Sequence, residues 1–315
     1  MKGLKFDTVL VEQVPMKEGG ALKPNLMTID VEDWFHILGT SQGAPDPSQW
    51  DALPARVVDN TRRLMDILEE ANAGATFFTL GWIARKHPAL VREIAERGFD
   101  LGCHGDVHTM VHTQGPESFR QDVQEARRSL EDASGTSIKG YRAAGFSITA
   151  ETPWAFEILQ EEGFQFDASV FPGTHAHGGL TVPYRRPFMI ETASGKTLYE
   201  FPVAATQIGG KMFPFGGGGY FRLLPEPLTS LMVKQMNRSQ IPATLYLHPR
   251  EIDPEQPRME GLPLVRKLKY YINLNQTEEK LKALLKRSRF ESIAQYLESS
   301  ENRVSAASRL FSLRN

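Results

Sequence analysis

Apolar residues recur along this chain in two rhythms that alternate with each other. Short, nearly unbroken runs rich in β-branched and aromatic residues predict buried strands. They are NLMTIDVEDWF from Asn25 to Phe35, ATFFTL at 75–80, FDLGC at 99–103, IKGYRA at 138–143, FQFDAS at 164–169, TLYEFPV at 197–203 and ATLYLHP at 243–249. Between the first five, apolar residues fall on one side of a helical turn. Val57, Leu64 and Leu68 make one such stripe, Leu90, Val91 and Ile94 a second, and Phe119, Val123, Ala126 and Leu130 a third, with a further helix over 153–162. Pro88 and Pro116 suit first helical turns, and Gly98 and Gly135 suit C-terminal caps. Beyond Pro257 the pattern is helical, in TEEKLKALL from Thr277 and FESIAQYLES from Phe290.

Strands alternating with helices imply parallel strands joined by crossover helices, so the fold class is α/β, a barrel or a doubly wound sheet. Both place chemistry at the C-terminal ends of the strands. Polar residues collect there: Asp30, Glu32 and Asp33 close the first run, His104 closes FDLGC, Arg142 closes IKGY, Asp167 closes FQF and His248 closes TLYL. Five separate strand ends are hard to assign to chance. The stretch KMFPFGGGGYFRLLP (211–225) reads as a glycine-rich loop near the site. It lacks the Gly-Lys-Ser/Thr ending of a phosphate loop.

Composition narrows the class. The 315 residues are 41% apolar, enough for a full core, and the net charge of -2 offers no basic block for nucleic acid. A single cysteine, Cys103, excludes an intrachain disulfide framework and fits a reducing compartment. No apolar run is long enough for a transmembrane segment, and residues 1–20 show no uninterrupted apolar signal region. The expectation is a soluble, cytoplasmic protein.

The densest chemistry is LGCHGDVHTMVH (101–112), with histidines at 104, 108 and 112. His-x-x-x-His brings two imidazoles to one ion from either a helix or a tight turn, and Gly102 and Gly105 argue for a turn. A carboxylate from IDVEDW would complete a set that leaves zinc an open position for water. Asp30 and Glu32 share a strand face, so one could bind metal while the other accepts a proton. His112 is surplus, read as a surface or supporting histidine.

The segments TIDVEDWFH, CHGDVHTMVH, GYRAAGFSIT, FDASVFP, GGGYFRLLP and YLHPREIDPEQPR, in this order over roughly residues 26–260, resemble polysaccharide deacetylases of the NodB-homology class (carbohydrate esterase family 4). They are most similar to the subfamily associated with bacterial exopolysaccharide and exosortase loci. The resemblance implies an irregular, incomplete (β/α) barrel of deformed TIM type with a C-terminal helical extension. It implies Asp30 as general base, His104 and His108 as metal ligands, and Glu32 or Asp33 as metal carboxylate, with Glu32 favoured. It further implies Arg142 holding the base, His248 as general acid, and Asp167 as the carboxylate that tunes His248. The metal would be zinc, with cobalt or nickel as alternatives. The substrate would be an N-acetylated polysaccharide or a lipid-linked oligosaccharide, releasing acetate. Two departures stand out: Ala144 where the subfamily has proline, and Asp106 where an aromatic is commoner. His175 and His177 read as loop residues.

The predicted organisation is a lead-in at 1–24, a deacetylase domain at 25–260, a helical extension at 261–300 and a flexible tail at 301–315. Two other functions share these features, a cyclic-amide hydrolase on the same scaffold and a non-catalytic glycan-binding homologue.

Overall fold

The structure, a computed structural model, describes residues 24–38, 45–173, 177–180, 182, 184–192, 195–298 and 310–312. The lead-in apart from Pro24, His175 and most of the tail lie outside these residues.

Twelve strands are seen among them: β1 (Asn25–Val31), β2 (Thr76–Thr79), β3 (Asp100–Cys103), β4 (Gly140–Tyr141), β5 (Phe166–Asp167), β6 (Phe188–Glu191), β7 (Thr197–Glu200), β8 (Ala205–Ile208), β9 (Lys211–Pro214), β10 (Thr244–Leu247), β11 (Phe290–Glu291) and β12 (Leu310–Ser312). The principal sheet runs β10-β1-β2-β3-β4-β5-β7-β6-β12, with β11 also paired to β1. Every pairing from β10 through β7 is parallel, whereas β6 meets β7 antiparallel. Among the described residues the sheet does not close on itself, so the barrel is a curled half. Strand β1 is buried at all seven positions, lying between β2 and β10 with β11 also paired to it. The apolar strand residues Ile29 and Phe77 have no exposed surface. Burying side chains of this size stabilises by about 1.5–3 kcal/mol each.

The helices follow in order: α1 (Val57–Glu70), α2 (Gly81–Lys86), α3 (Pro88–Glu96), α4 (Pro116–Ser134), α5 (Trp154–Glu161), α6 (Gly218–Leu223), α7 (Glu226–Arg238), α8 (Leu264–Tyr271), α9 (Leu274–Arg287) and α10 (Ile293–Glu298). The predicted stripes of α1, α3 and α4 are the buried ones. Helix α4 packs on α2, α3 and α5.

Three expectations change. The glycine-rich stretch is not a loose loop: it contains β9 and α6, and three of its four consecutive glycines sit where backbone meets backbone or a bulky group. A Cβ at Gly216 would lie 2.6 Å from the Thr244 carbonyl, one at Gly217 would lie 2.5 Å from the Tyr246 hydroxyl, and one at Gly218 would overlap the Glu251 carboxylate. Close packing, not flexibility, demands glycine there. Second, β6 joins a sheet expected to be parallel by an antiparallel pairing with β7, and β8 and β9 form a separate two-stranded antiparallel sheet. Third, Leu310–Ser312 of the tail pairs in register with Met189–Glu191 of β6.

Candidate active site

Because β10, β1, β2, β3, β4 and β5 run parallel and adjacent, their C-terminal ends open on one side. Asp30 is the penultimate residue of β1 and Glu32 follows its end. His104 follows β3, Arg142 follows β4 and His248 follows β10. Asp30, Glu32, His104 and His248 line a cleft of about 730 Å³, and Arg142 is buried against Asp30.

Glu32 Oε1 lies 3.1 Å from His104 Nε2 and 3.0 Å from His108 Nε2. The segment that carries the histidines is a turn, as its glycines suggested. Gly105 has φ +79° and His108 itself φ +57°, a left-handed conformation that a non-glycine residue adopts at a cost of order 1–3 kcal/mol. The turn is pinned by Gly81 and Trp82 amides donating to the carbonyls of Gly105 and Asp106. Asp106 faces away from the cleft and pairs with Arg85 through both oxygens, at 2.6 and 3.0 Å. Its aromatic-to-acid departure is therefore a surface ion pair. Ala144 needs no proline: Ser147 Oγ donates to its carbonyl and accepts from the Val111 amide.

Can these residues hold a metal ion? A carbonyl only accepts, so the 2.8 Å contact of His104 Nδ1 with the Arg142 carbonyl places a proton on Nδ1, and Nε2 is the nitrogen directed at Glu32. His108 Nε2 is buried, and its 3.0 Å approach to Glu32 is not aligned as a hydrogen bond. Two imidazoles and a carboxylate, with donor atoms within 4.8 Å of one another, fit a divalent cation. Burial by itself would raise the Glu32 carboxyl. The histidines 108, 248 and 104 reverse that and hold it well below the usual range.

Asp30 lies beside this cluster. Its Oδ1 accepts from Arg142 Nη1 at 2.7 Å, while Oδ2 faces His248 Nε2 at 4.0 Å. Arg142 is itself fully buried. It donates to Thr28 Oγ1 and the Ala168 carbonyl and stacks on Phe78 with its guanidinium carbon 4.4 Å from the ring centre. His248 Nε2 is 3.6 Å from Glu32, and its Nδ1 is 3.6 Å from Glu251 Oε2. Burial would lower the His248 pKa, but Glu32 and Glu251 together raise it above the ordinary value.

Two assignments need correction. Asp33 is not among the clustered ligands. Its Oδ2 accepts from the Arg56 and Val57 amides at the start of α1, and its Oδ1 accepts from Trp34 N. It satisfies amides that a helix start leaves open. Asp167 does not reach His248 either. It accepts from Ser169 N and Oγ at 3.0 and 2.6 Å and neighbours Glu200 across β5 and β7. Burial raises both carboxyls, and the Asp167 charge pushes Glu200 further up. The carboxylate beside His248 is Glu251, three residues on in a 3-10 turn (Pro249–Ile252).

Sequence reading missed Glu251, Glu200 and His36. The Glu251 signal was present: an acid three residues after a histidine, with proline between, can fold back on it in a single turn. His36 is buried in a nest of Phe35, Trp50 and Trp82 rings, and its Nδ1 accepts from the Asp33 amide. Burial pushes its pKa down to about 3, so it is neutral. His112 is exposed, and it lines a second groove with His177 and Arg266, both of which also line the cleft.

The curled parallel half-barrel, with paired histidines and a carboxylate at its strand ends, agrees with what the comparisons find. The family description "Polysaccharide deacetylase" matches residues 48–165, and a domain of unknown function, DUF3473, matches residues 168–298. Residues 48–165 thus carry a polysaccharide deacetylase domain of the NodB-homology class, carbohydrate esterase family 4. It is 32% identical over 107 residues to YheN of Bacillus subtilis, a candidate polysaccharide deacetylase, covering 34% of this chain and 38% of the relative. It is 27% identical over 105 residues to a peptidoglycan-N-acetylglucosamine deacetylase of Bacillus cereus, covering 33% and 47%. With a chitooligosaccharide deacetylase of Sinorhizobium fredii it shares 30% over 99 residues, covering 31% and 44%. The matched part thus spans less than half the length of each of these relatives. A crystal structure of a candidate polysaccharide deacetylase from Mycobacterium smegmatis shares the fold with a TM-score of 0.60 at 20% identity, covering 95% of this chain and 97% of that one. Among the described residues, no helix is long and apolar enough to cross a membrane.

Proposed function

We propose that this protein is a metal-dependent N-deacetylase that removes acetyl groups from N-acetylhexosamine units of a bacterial exopolysaccharide or its lipid-linked precursor. The observation that carries the reading is the placement of Asp30 and His248, 4.0 Å apart, beside the Glu32–His104–His108 cluster, with Arg142 fixing Asp30. Relatives named as chitooligosaccharide and peptidoglycan deacetylases support the reaction class. The DUF3473 match, typical of exopolysaccharide-associated deacetylases, supports the substrate class. Placement in the cytoplasm belongs to the same proposal and draws on the single, buried Cys103.

Glu32, His104 and His108 would hold the ion, with zinc the first choice and cobalt or nickel compatible with the same donors. Bound there, the ion would polarise the acetyl carbonyl and make an adjacent water more acidic. Asp30 Oδ2 is the free oxygen of an anchored carboxylate and takes the proton as the water oxygen bonds to the acetyl carbon. The carbon–nitrogen bond then breaks while His248 Nε2 gives a proton to the nitrogen. An amine leaves poorly without that proton, and the raised pKa of His248 favours the donor form. Acetate and a free amino sugar result.

The test is acetate release by purified protein from a panel of N-acetylated oligosaccharides, with cyclic amides as the comparison. Release from sugars alone supports the proposal. Turnover of cyclic amides, or sugar binding without turnover, would contradict it.

A further inference from the structure

Helix α8 buries none of its residues, although three of its eight are large aliphatics. Leu264 is 80% exposed, Val265 67% and Leu268 66%, and Leu223 at the end of α6 is 55% exposed. A helix that turns about 100° per residue sets Leu264, Leu268 and Val265 on one arc. Lys267 falls at one edge of that arc and Lys269 at the other. Both lysines are exposed, as is Arg258 just upstream, with Glu260 and Glu255 the acids on the same approach. The opposite side of the helix is anchored. Arg222 of α6 donates to the carbonyls of Lys269, Tyr270 and Ile272, and Tyr270 lies under the Arg250 guanidinium at 4.2 Å. The apolar arc is thus held outward by the rest of the fold.

We propose that this face docks on the surface of an anionic phospholipid bilayer. Aliphatic side chains held in water beside basic ones, on a rigidly mounted helix, are the pattern of a segment that lies in the lipid interface. Lysines flanking the arc complement negative headgroups. Leu223, Val265, Leu268 and Lys269 also rim the catalytic cleft, so docking would turn its mouth toward the headgroups. A glycan displayed on a lipid carrier would meet the cleft there, a consequence that rests on the proposed function, whereas the docking itself does not.

The experiment is flotation of the full chain with vesicles of phosphatidylcholine alone or mixed with phosphatidylglycerol. It compares wild type with Leu264→Glu and Lys267→Glu, neither of which lines the cleft. Wild type should float only with the mixed vesicles and release from them as salt rises. Each variant should bind about tenfold more weakly, with an unchanged thermal melt. Absence of wild-type binding to anionic vesicles would overturn the proposal, as would equal binding by Leu264→Glu. So would a concentration-dependent dimer that Leu264→Glu dissolves, which would show that a second copy covers the face. Acetate release from soluble oligosaccharides, measured on the same samples, reports on the reaction separately.

Discussion

The carbonyl of Arg142 accepts the His104 Nδ1 proton at 2.8 Å, while the guanidinium of the same residue holds Asp30 at 2.7 Å. One buried residue therefore sets both the tautomer of a candidate metal ligand and the orientation of the candidate base. The main chain performs the first task and the side chain the second. Substitution of Arg142 should disturb the base while leaving the His104 tautomer in place.

Asp30→Asn tests the base. The amide keeps the shape and one acceptor for Arg142 but cannot take a proton at useful pH. Acetate release should fall by about 10²–10⁴-fold with metal content unchanged. Steady-state kinetics beside metal analysis checks it, and near-normal turnover would remove Asp30 from the mechanism.

Glu251 is expected to set the alkaline limb of the pH profile. A general acid must be protonated, so activity falls as pH rises through the His248 pKa. Glu251 and Glu32 raise that pKa. Glu251→Gln removes one of the two charges, and the alkaline limb of kcat should move to lower pH. An unmoved limb in a folded variant would return His248 to another role.

The same carboxylate contributes to acid stability. Burial alone would raise Glu251, but Arg222 and His248 hold it down to about 2. A depressed carboxyl stabilises above its unfolded value, and the contribution is lost as pH falls from about 4.5 towards 2. Wild type should lose stability across that window more steeply than Glu251→Gln. At neutral pH, Arg222→Met leaves Glu251 buried without its 3.2 Å partner and should cost about 3–5 kcal/mol by urea unfolding.

Asp33 and Glu32 stand one residue apart and should behave differently. Asp33→Ala removes the acceptor for three amides and should cost about 0.5–2 kcal/mol or more while metal affinity is retained. Glu32→Gln should weaken metal binding with little change in unfolding of the metal-free protein. Calorimetric titration beside thermal melts separates the two, and a metal defect in Asp33→Ala alone would reverse the ligand assignment.

The strand ends were readable because parallel topology leaves few places for polar residues after apolar runs, and Asp30, Glu32, His104, Arg142 and His248 obeyed that rule. Asp167 obeyed it too, yet its place next to Glu200 depends on β5 pairing with β7, which no local pattern states. Asp33 was ambiguous for a related reason. Alternation along β1 ends at Val31, and the chain then turns, so face arguments stop applying one residue before the decision falls. The four glycines misled because composition does not distinguish a loop from a close approach. Only the neighbouring Thr244 carbonyl, Tyr246 ring and Glu251 carboxylate reveal which it is.

The central claim is that Glu32, His104 and His108 hold the ion on which deacetylation depends. It is tested most directly by stripping the protein with chelator and titrating zinc back while following acetate release from an N-acetylated oligosaccharide. Activity should vanish on stripping and return in proportion to zinc up to one equivalent per chain, with no return in His104→Ala. Activity that survives complete removal of metal, or that returns equally in His104→Ala, would contradict it.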